Sequence, residues 1–270
     1  MKKVLPAETA PRGHYVPVNG LNMYYEEFGN GPGRPLVLLH GAFSATGTSF
    51  GDLLPALSRH RRVISIEQQG HGHTATIDRP LRVEQMAADT VQLLAQIGVT
   101  KADFFGYSMG AGIGLEIGVR HPEVVGKLVL ASVTASPDGL HPGILDGIDD
   151  LKPENLYGSP FYEEYVRINP RPQDFPKLVE QVKDLDRHTP TIPDAEIHAM
   201  KAPTLLIIAD SDIVRPEHSV ALFRLLGGGV AGDIVGLPAS QLAIVPGATH
   251  VTLVHQTAIL GPMIPAFLDK

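Results

Sequence analysis

Cysteine is absent from all 270 residues. Disulfides, thiolate metal ligands and a cysteine nucleophile are excluded together, which leaves serine as the candidate for any covalent catalysis. Long hydrophobic runs are missing too. Nothing approaches the roughly 18 consecutive apolar residues of a membrane-spanning helix. Met1-Lys2-Lys3 is followed by no apolar run, so a secretory leader is not expected and a cytoplasmic protein is the default expectation. Positive charge is in deficit. Lys and Arg number 22 against 29 Asp and Glu, a net charge of −7, which argues against nucleic acid or an anionic membrane as the main partner.

What is present is an ordinary globular balance, 43% hydrophobic and 19% charged. The length suits one large α/β domain with room for an inserted subdomain. Residues 1 to about 12, with Pro6 and Pro11, read as poorly ordered. Asn19-Gly20 between two strand-like runs, 14–18 and 21–28, signals a hairpin. The continuous apolar run at 36–39 reads as a buried parallel strand, and further strands are read at 62–66, 102–105 and 127–133, the alternation with helices implying a parallel sheet. Helices are expected between them at 48–58, 83–97 and 111–120. In 83–97 the apolar positions Val83, Met86, Ala87, Val91, Leu94 and Ile97 fall on one face.

Between about 136 and 200 the pattern changes: prolines recur, no strand run appears, and helical pieces fit at 143–151, 161–168 and 174–187. This is read as a helical cap, residues 136–200, inserted into a core made of residues 1–135 and 201–270. Strands resume at 204–209 and 241–245, with helices at 216–226 and 256–268. The glycine-rich stretch from Gly227 lacks the Gly-Lys-Ser/Thr ending of a phosphate loop and reads as a plain loop.

The chemistry concentrates at strand ends. Gly106-Tyr107-Ser108-Met109-Gly110 joins a strand to a helix. A serine between glycines at such a junction projects its Oγ from a sharp turn, and the following helix aims its N-terminal N–H groups at the reaction centre. Met109 N–H is one expected oxyanion donor; Ala42 N–H, after His40-Gly41 at the end of an earlier strand, is the other. Asp212 and His250 follow later strands, in the order nucleophile, acid, base. Asp210 and Asp138 are weighed as rival acids and His255 as a rival base. His40 is read as a packed structural residue. His71-x-His73 is weighed as a metal pair and set aside, because no third ligand lies at zinc-site spacing.

With these pieces in place the chain resembles the α/β-hydrolase fold superfamily over roughly residues 14 to 270. The matching motifs are Leu38-Leu39-His40-Gly41-Ala42-Phe43, Gly106 to Gly110, Ala209-Asp210-Ser211-Asp212 and Gly247-Ala248-Thr249-His250. The resemblance implies a mostly parallel eight-stranded sheet flanked by helices. The Ser-Met elbow is similar to that of bacterial carboxylesterases and perhydrolases, and the helical cap also fits. Relatives usually carry Asp-x-Arg-Gly-x-Gly where this chain has Glu67-Gln68-Gln69-Gly70-His71-Gly72, a departure expected to alter the pocket wall.

The expected activity is hydrolysis of a small-molecule ester through an acyl-enzyme on Ser108, with no cofactor and no metal. Phe43, Tyr107, Ile144, Ile213, Val214 and Val251 are the expected substrate-binding residues. A lactonase, including one for acyl-homoserine lactones, a C–C hydrolase or perhydrolase, and a non-catalytic small-molecule receptor stay open as alternatives. Neither nucleic acid nor a membrane is expected as a partner, and the oligomeric state is open.

Overall fold

The structure is a computed structural model that describes residues 12–270; the expected poorly ordered start, residues 1–11, lies outside the described residues. Eight strands form one sheet: β1 (Arg12–Val18), β2 (Leu21–Phe28), β3 (Leu36–Leu39), β4 (Val63–Glu67), β5 (Ala102–Tyr107), β6 (Val125–Ala131), β7 (Thr204–Ser211) and β8 (Gln241–Thr249). Their spatial order is β1-β2-β4-β3-β5-β6-β7-β8. β1 pairs with β2, and β2 with β4, antiparallel; every other pairing is parallel. The β1–β2 turn is Asn19-Gly20 with φ of +47° and +87°, the paired positive values that a two-residue hairpin of this hand requires.

Ten α-helices and six short 3-10 turns complete the described chain; the α-helices are α1 (Thr46–Phe50), α2 (Leu54–Leu57), α3 (Val83–Gln96), α4 (Met109–Arg120), α5 (Pro160–Ile168), α6 (Phe175–Arg187), α7 (Asp194–Ala199), α8 (Pro216–Leu225), α9 (Gly232–Val235) and α10 (Thr257–Leu268). Side-chain alternation along the strands divides the core in two. Val37, Leu39, Ile64, Ile66, Phe104 and Leu128 pack on one face with residues of α3 and α4. Leu36, Leu38, Val63, Phe105 and Val129 pack on the other with α1, α2 and α10. Each such side chain contributes about 1.5–3 kcal/mol on burial, so parallel strands buried on both faces carry most of the fold.

Two expected helices differ. The helix expected over 48–58 is two short ones, because Gly51 ends α1 and Pro55, which has no N–H to continue a helix, sits in the first turn of α2. The stretch 143–151 is a run of turns closing in a 3-10 turn at Ile148–Asp150, with Gly143 at φ +86° where a helix would begin. α7 and α9 were not anticipated, and β8 continues past Val245 to Thr249.

The excursion between β6 and β7 folds back over the C-terminal ends of the parallel strands. It is tied down by polar contacts as well as by apolar packing. Asn169 Nδ2 donates to Gly72 O (2.8 Å), Thr76 Oγ1 to Gln181 Oε1 (2.7 Å) and Arg82 Nη1 to Asp184 Oδ2 (2.8 Å). The Glu164 carboxylate accepts from Thr48 N and Oγ1 in α1.

Candidate active site

The strand order reverses at β3, whose neighbours β4 and β5 are connected in opposite directions. In open α/β sheets ligands bind outside the strand C-termini at such a point. There β3 delivers His40-Gly41-Ala42-Phe43, and its neighbour β5 delivers Ser108.

Ser108 has φ +54° and ψ −119°. The chain can hold this strained turn because its flanks are glycines. A Cβ on Gly106 would lie 2.2 Å from Gly110 O, and one on Gly110 would lie 1.9 Å from Leu39 O. Four non-glycine residues among those described have positive φ; apart from Asn19 they are Phe43, Ser108 and Ser132, and all three line the same cavity. Strain concentrated at strand ends around one cavity is a signature of a functional site.

Ser108 Oγ is 2.9 Å from His250 Nε2, and His250 Nδ1 is 2.8 Å from Asp212 Oδ1. The ionised carboxylate only accepts, so Nδ1 carries the proton and Nε2 is left to accept from the serine hydroxyl. Asp212 is buried. Burial pushes its carboxyl up, but hydrogen bonds from His250, Ser132 and Val214 N–H, with the charge of His250, outweigh it and hold the group below its usual range. Ser132 Oγ donates to Asp212 Oδ2 at 2.5 Å and Val214 N to Oδ1 at 3.2 Å.

The other candidate acids and bases have different partners. Asp210 accepts from Gly247 N and Ala248 N and so shapes the end of β8. Asp138 is exposed; its backbone carbonyl accepts from Arg215. His255 Nδ1 faces Asp52 at 3.2 Å. His40 is fully buried, its Nδ1 donating to Gly41 O and its Nε2 accepting from Gln68 N. Desolvation pushes its pKa down, so it is a neutral strut between the ends of β3 and β4. His71 Nδ1 donates to Gln69 O and His73 Nδ1 faces Glu67 Oε2. Among the described residues no group of three His, Asp or Glu side chains is placed to hold a metal ion.

Met109 is the first residue of α4, so its N–H has no carbonyl a turn earlier to bond. Ala42 lies in the turn closed by Ser44 N to Gly41 O, with Phe43 at φ +61°. Both line the cavity beside Ser108, as do all six expected pocket residues, Phe43, Tyr107, Ile144, Ile213, Val214 and Val251. The cavity has a volume of about 370 Å³. The altered loop stays out of it. Gln69 binds Arg79, and Gln68 binds Thr90 and His40, and neither reaches the wall.

Three contributions escaped the sequence reading. Ser132 holds Asp212 from a strand end 80 residues away. Tyr107 lines the cavity, but its hydroxyl also donates to His250 O (2.8 Å) and its ring lies 5.4 Å from the imidazole. Asp186, on α6, faces the cavity; burial pushes its carboxyl up to about 6, with the charge of His250 pulling the other way.

The sequence pattern of the α/β-hydrolase fold family matches residues 34–155, a stretch that includes the elbow. The chain has the α/β-hydrolase fold, and this stretch matches that family's pattern. The chain is similar to a pyrrolizixenacetamide deacetylase from Xenorhabdus hominickii, 33% identical over 38% of this chain and 38% of that protein. It is also similar to the dihydrolipoyllysine-residue acetyltransferase component of an acetoin cleaving system from Pseudomonas putida, 28% identical over 94% of this chain and 68% of that protein. Six curated relatives match over only 38% to 45% of their own length. Among solved structures the enol-lactonase of Burkholderia xenovorans LB400 superposes with a TM-score of 0.71 at 20% identity, over 95% of this chain and all of that one. Among the described residues no helix is long and apolar enough to cross a membrane.

Proposed function

We propose that this α/β-hydrolase-fold chain is a serine hydrolase that cleaves small to medium carboxylic esters through an acyl-enzyme on Ser108. The observation that carries this reading is the hydrogen-bonded line Ser108–His250–Asp212 opening onto an apolar cavity. His250 takes the Ser108 proton as Oγ attacks the ester carbonyl. Asp212 holds the imidazole tautomer and stabilises the imidazolium. The Ala42 and Met109 N–H groups receive the oxyanion, and His250 returns its proton to the departing alcohol. Water, activated by His250, then releases the acid. No metal or cofactor takes part.

The names of the relatives, a deacetylase, an acetyltransferase component, carbamate hydrolases and haloperoxidases, fit hydrolase chemistry in general rather than one bond. A cyclic ester would use the same steps. The test is labelling by a serine-directed phosphonate together with turnover of matched p-nitrophenyl esters and acyl-homoserine lactones. Labelling at Ser108 and loss of turnover in Ser108→Ala are expected. Retained hydrolysis in a folded Ser108→Ala protein would sink the mechanism, and preference for the lactones would move the substrate class to cyclic esters.

A further inference from the structure

Helix α6 buries Phe175, Leu178, Val179, Val182 and Leu185. Asp186 follows Val182 by four residues and Val179 by seven, so it stands in the apolar stripe of the helix rather than on its wet face. The other acids of α6 behave differently: Glu180 pairs with Lys183, and Asp184 pairs with Arg82. Among the described residues no hydrogen bond or ion pair reaches the Asp186 carboxylate, and it is the one carboxylate on the cavity wall. Two other groups that titrate line that wall, His250 and Tyr107.

A carboxylate in apolar surroundings without a partner is a net cost to the fold, and a leucine would fill the stripe without it. A ligand carrying a hydrogen-bond donor would remove the cost, because an ionised acceptor makes the stronger class of hydrogen bond.

We propose that Asp186 sets the substrate specificity of this pocket by accepting a hydrogen bond from a donor group, a hydroxyl or an ammonium, carried on an otherwise apolar acyl chain. This rests on the ester-hydrolase reading for its substrate class, but not for its binding chemistry. Asp186 touches the remote end of the acyl group, takes no proton from the reacting atoms, and acts on kcat/KM through recognition.

The experiment uses p-nitrophenyl esters of four-, six- and eight-carbon acids, each plain, with a terminal hydroxyl or with a terminal ammonium. They are assayed at pH 8 on the full-length protein and on Asp186→Asn and Asp186→Leu. At the best chain length a donor-bearing ester should exceed its plain counterpart in kcat/KM by about tenfold or more, the size of one charge-assisted hydrogen bond. Asp186→Leu should reverse that order. Asp186→Asn should keep a hydroxyl preference and lose an ammonium preference, which tells the two donors apart. A ratio unchanged within twofold in Asp186→Leu, or no donor preference at any length, overturns the proposal. Calorimetric binding of the matching methyl esters to Ser108→Ala and to Ser108→Ala/Asp186→Leu reads the same preference without turnover. Donor-dependent binding in a protein that hydrolyses none of the esters would refute the hydrolase reading and uphold the pocket assignment. Donor-independent binding would refute the pocket assignment alone.

Discussion

Replacing Asp186 with Asn keeps its shape and removes its charge, and the consequence for stability has a calculable pH dependence. The ordinary Asp value is 3.8, and burial in the folded protein pushes this carboxyl up to about 6. Below 3.8 the group is protonated in folded and unfolded chains alike, and ionisation costs the fold nothing. Between 3.8 and about 6 the unfolded chain releases the proton while the folded one keeps it, so stability falls as pH rises. Above about 6 the penalty is complete. The interval is a little over two on the pH scale, and at about 1.4 kcal/mol for each step the full penalty is up to about 3 kcal/mol. Asp186→Asn escapes it. Urea midpoints for the two proteins should therefore agree near pH 3.5 apart from a constant offset, diverge through pH 5, and differ most at pH 7 to 8, with the variant the more stable. His250, whose charge reaches Asp186, is common to both proteins and largely cancels in the difference. A stability difference that stays flat from pH 3.5 to 8 would refute the claim that Asp186 is desolvated and unpartnered in the folded state.

Three further outcomes follow from contacts elsewhere in the site and core. Tyr107→Phe removes the donor to His250 O, a loss of about 1 kcal/mol in holding the imidazole, so kcat should fall about fivefold with KM little changed; a KM effect alone would return Tyr107 to a simple wall residue. Gly110→Ala sets a Cβ 1.9 Å from Leu39 O, whereas at Gly112 the nearest atom is Val83 Cγ2 at 4.0 Å. The first should destabilise by more than about 3 kcal/mol and the second stabilise by up to about 1 kcal/mol, and equal melting temperatures for the two variants would contradict the elbow geometry. His71 is fully buried, and desolvation with the nearby His40 pushes its pKa down to about 3. The unfolded chain takes up that proton first, so the stability is intact above 6.5 and lost as pH falls, by about 2 kcal/mol at pH 5. His71→Phe should flatten the acid limb of a urea-midpoint titration; an unchanged slope would show that His71 is not buried neutral.

Much of this molecule could be read from its sequence where the signal is local. The elbow was legible because two glycines bracket a serine, and the close approaches at Gly106 and Gly110 are the physical reason for them. Asp210 and Asp212, two residues apart, would share one face of a regular strand; the β7–β8 register shifts between Ala209 and Ser211, and the structure sends Asp210 to the amides of Gly247 and Ala248 and Asp212 to His250. The unbroken apolar run Leu36 to Leu39 was legible as a parallel strand because both its faces are covered. The break between α1 and α2 was legible in principle from Gly51 and Pro55.

What stayed hidden depends on partners far away in the chain. Ser132 meets Asp212 across 80 residues, and Tyr107 meets His250 across 143; no local pattern distinguishes such a serine or tyrosine from any other. Asp186 is a different kind of omission, because its signal was local. The series 175, 179, 182, 186 is a helical stripe, and three of its four members, Phe175, Val179 and Val182, are buried hydrophobics. An acid in the fourth place opposes the pattern that folds the helix onto the core. Sequences tolerate that opposition chiefly where function compensates for it. The strained Ser108 turn obeys the same logic: both sacrifice some stability of the free protein, and both face the same cavity. A ligand that relieves the Asp186 penalty should therefore raise the melting temperature at pH 8 more than at pH 4, where the carboxyl is already protonated and the donor gains less.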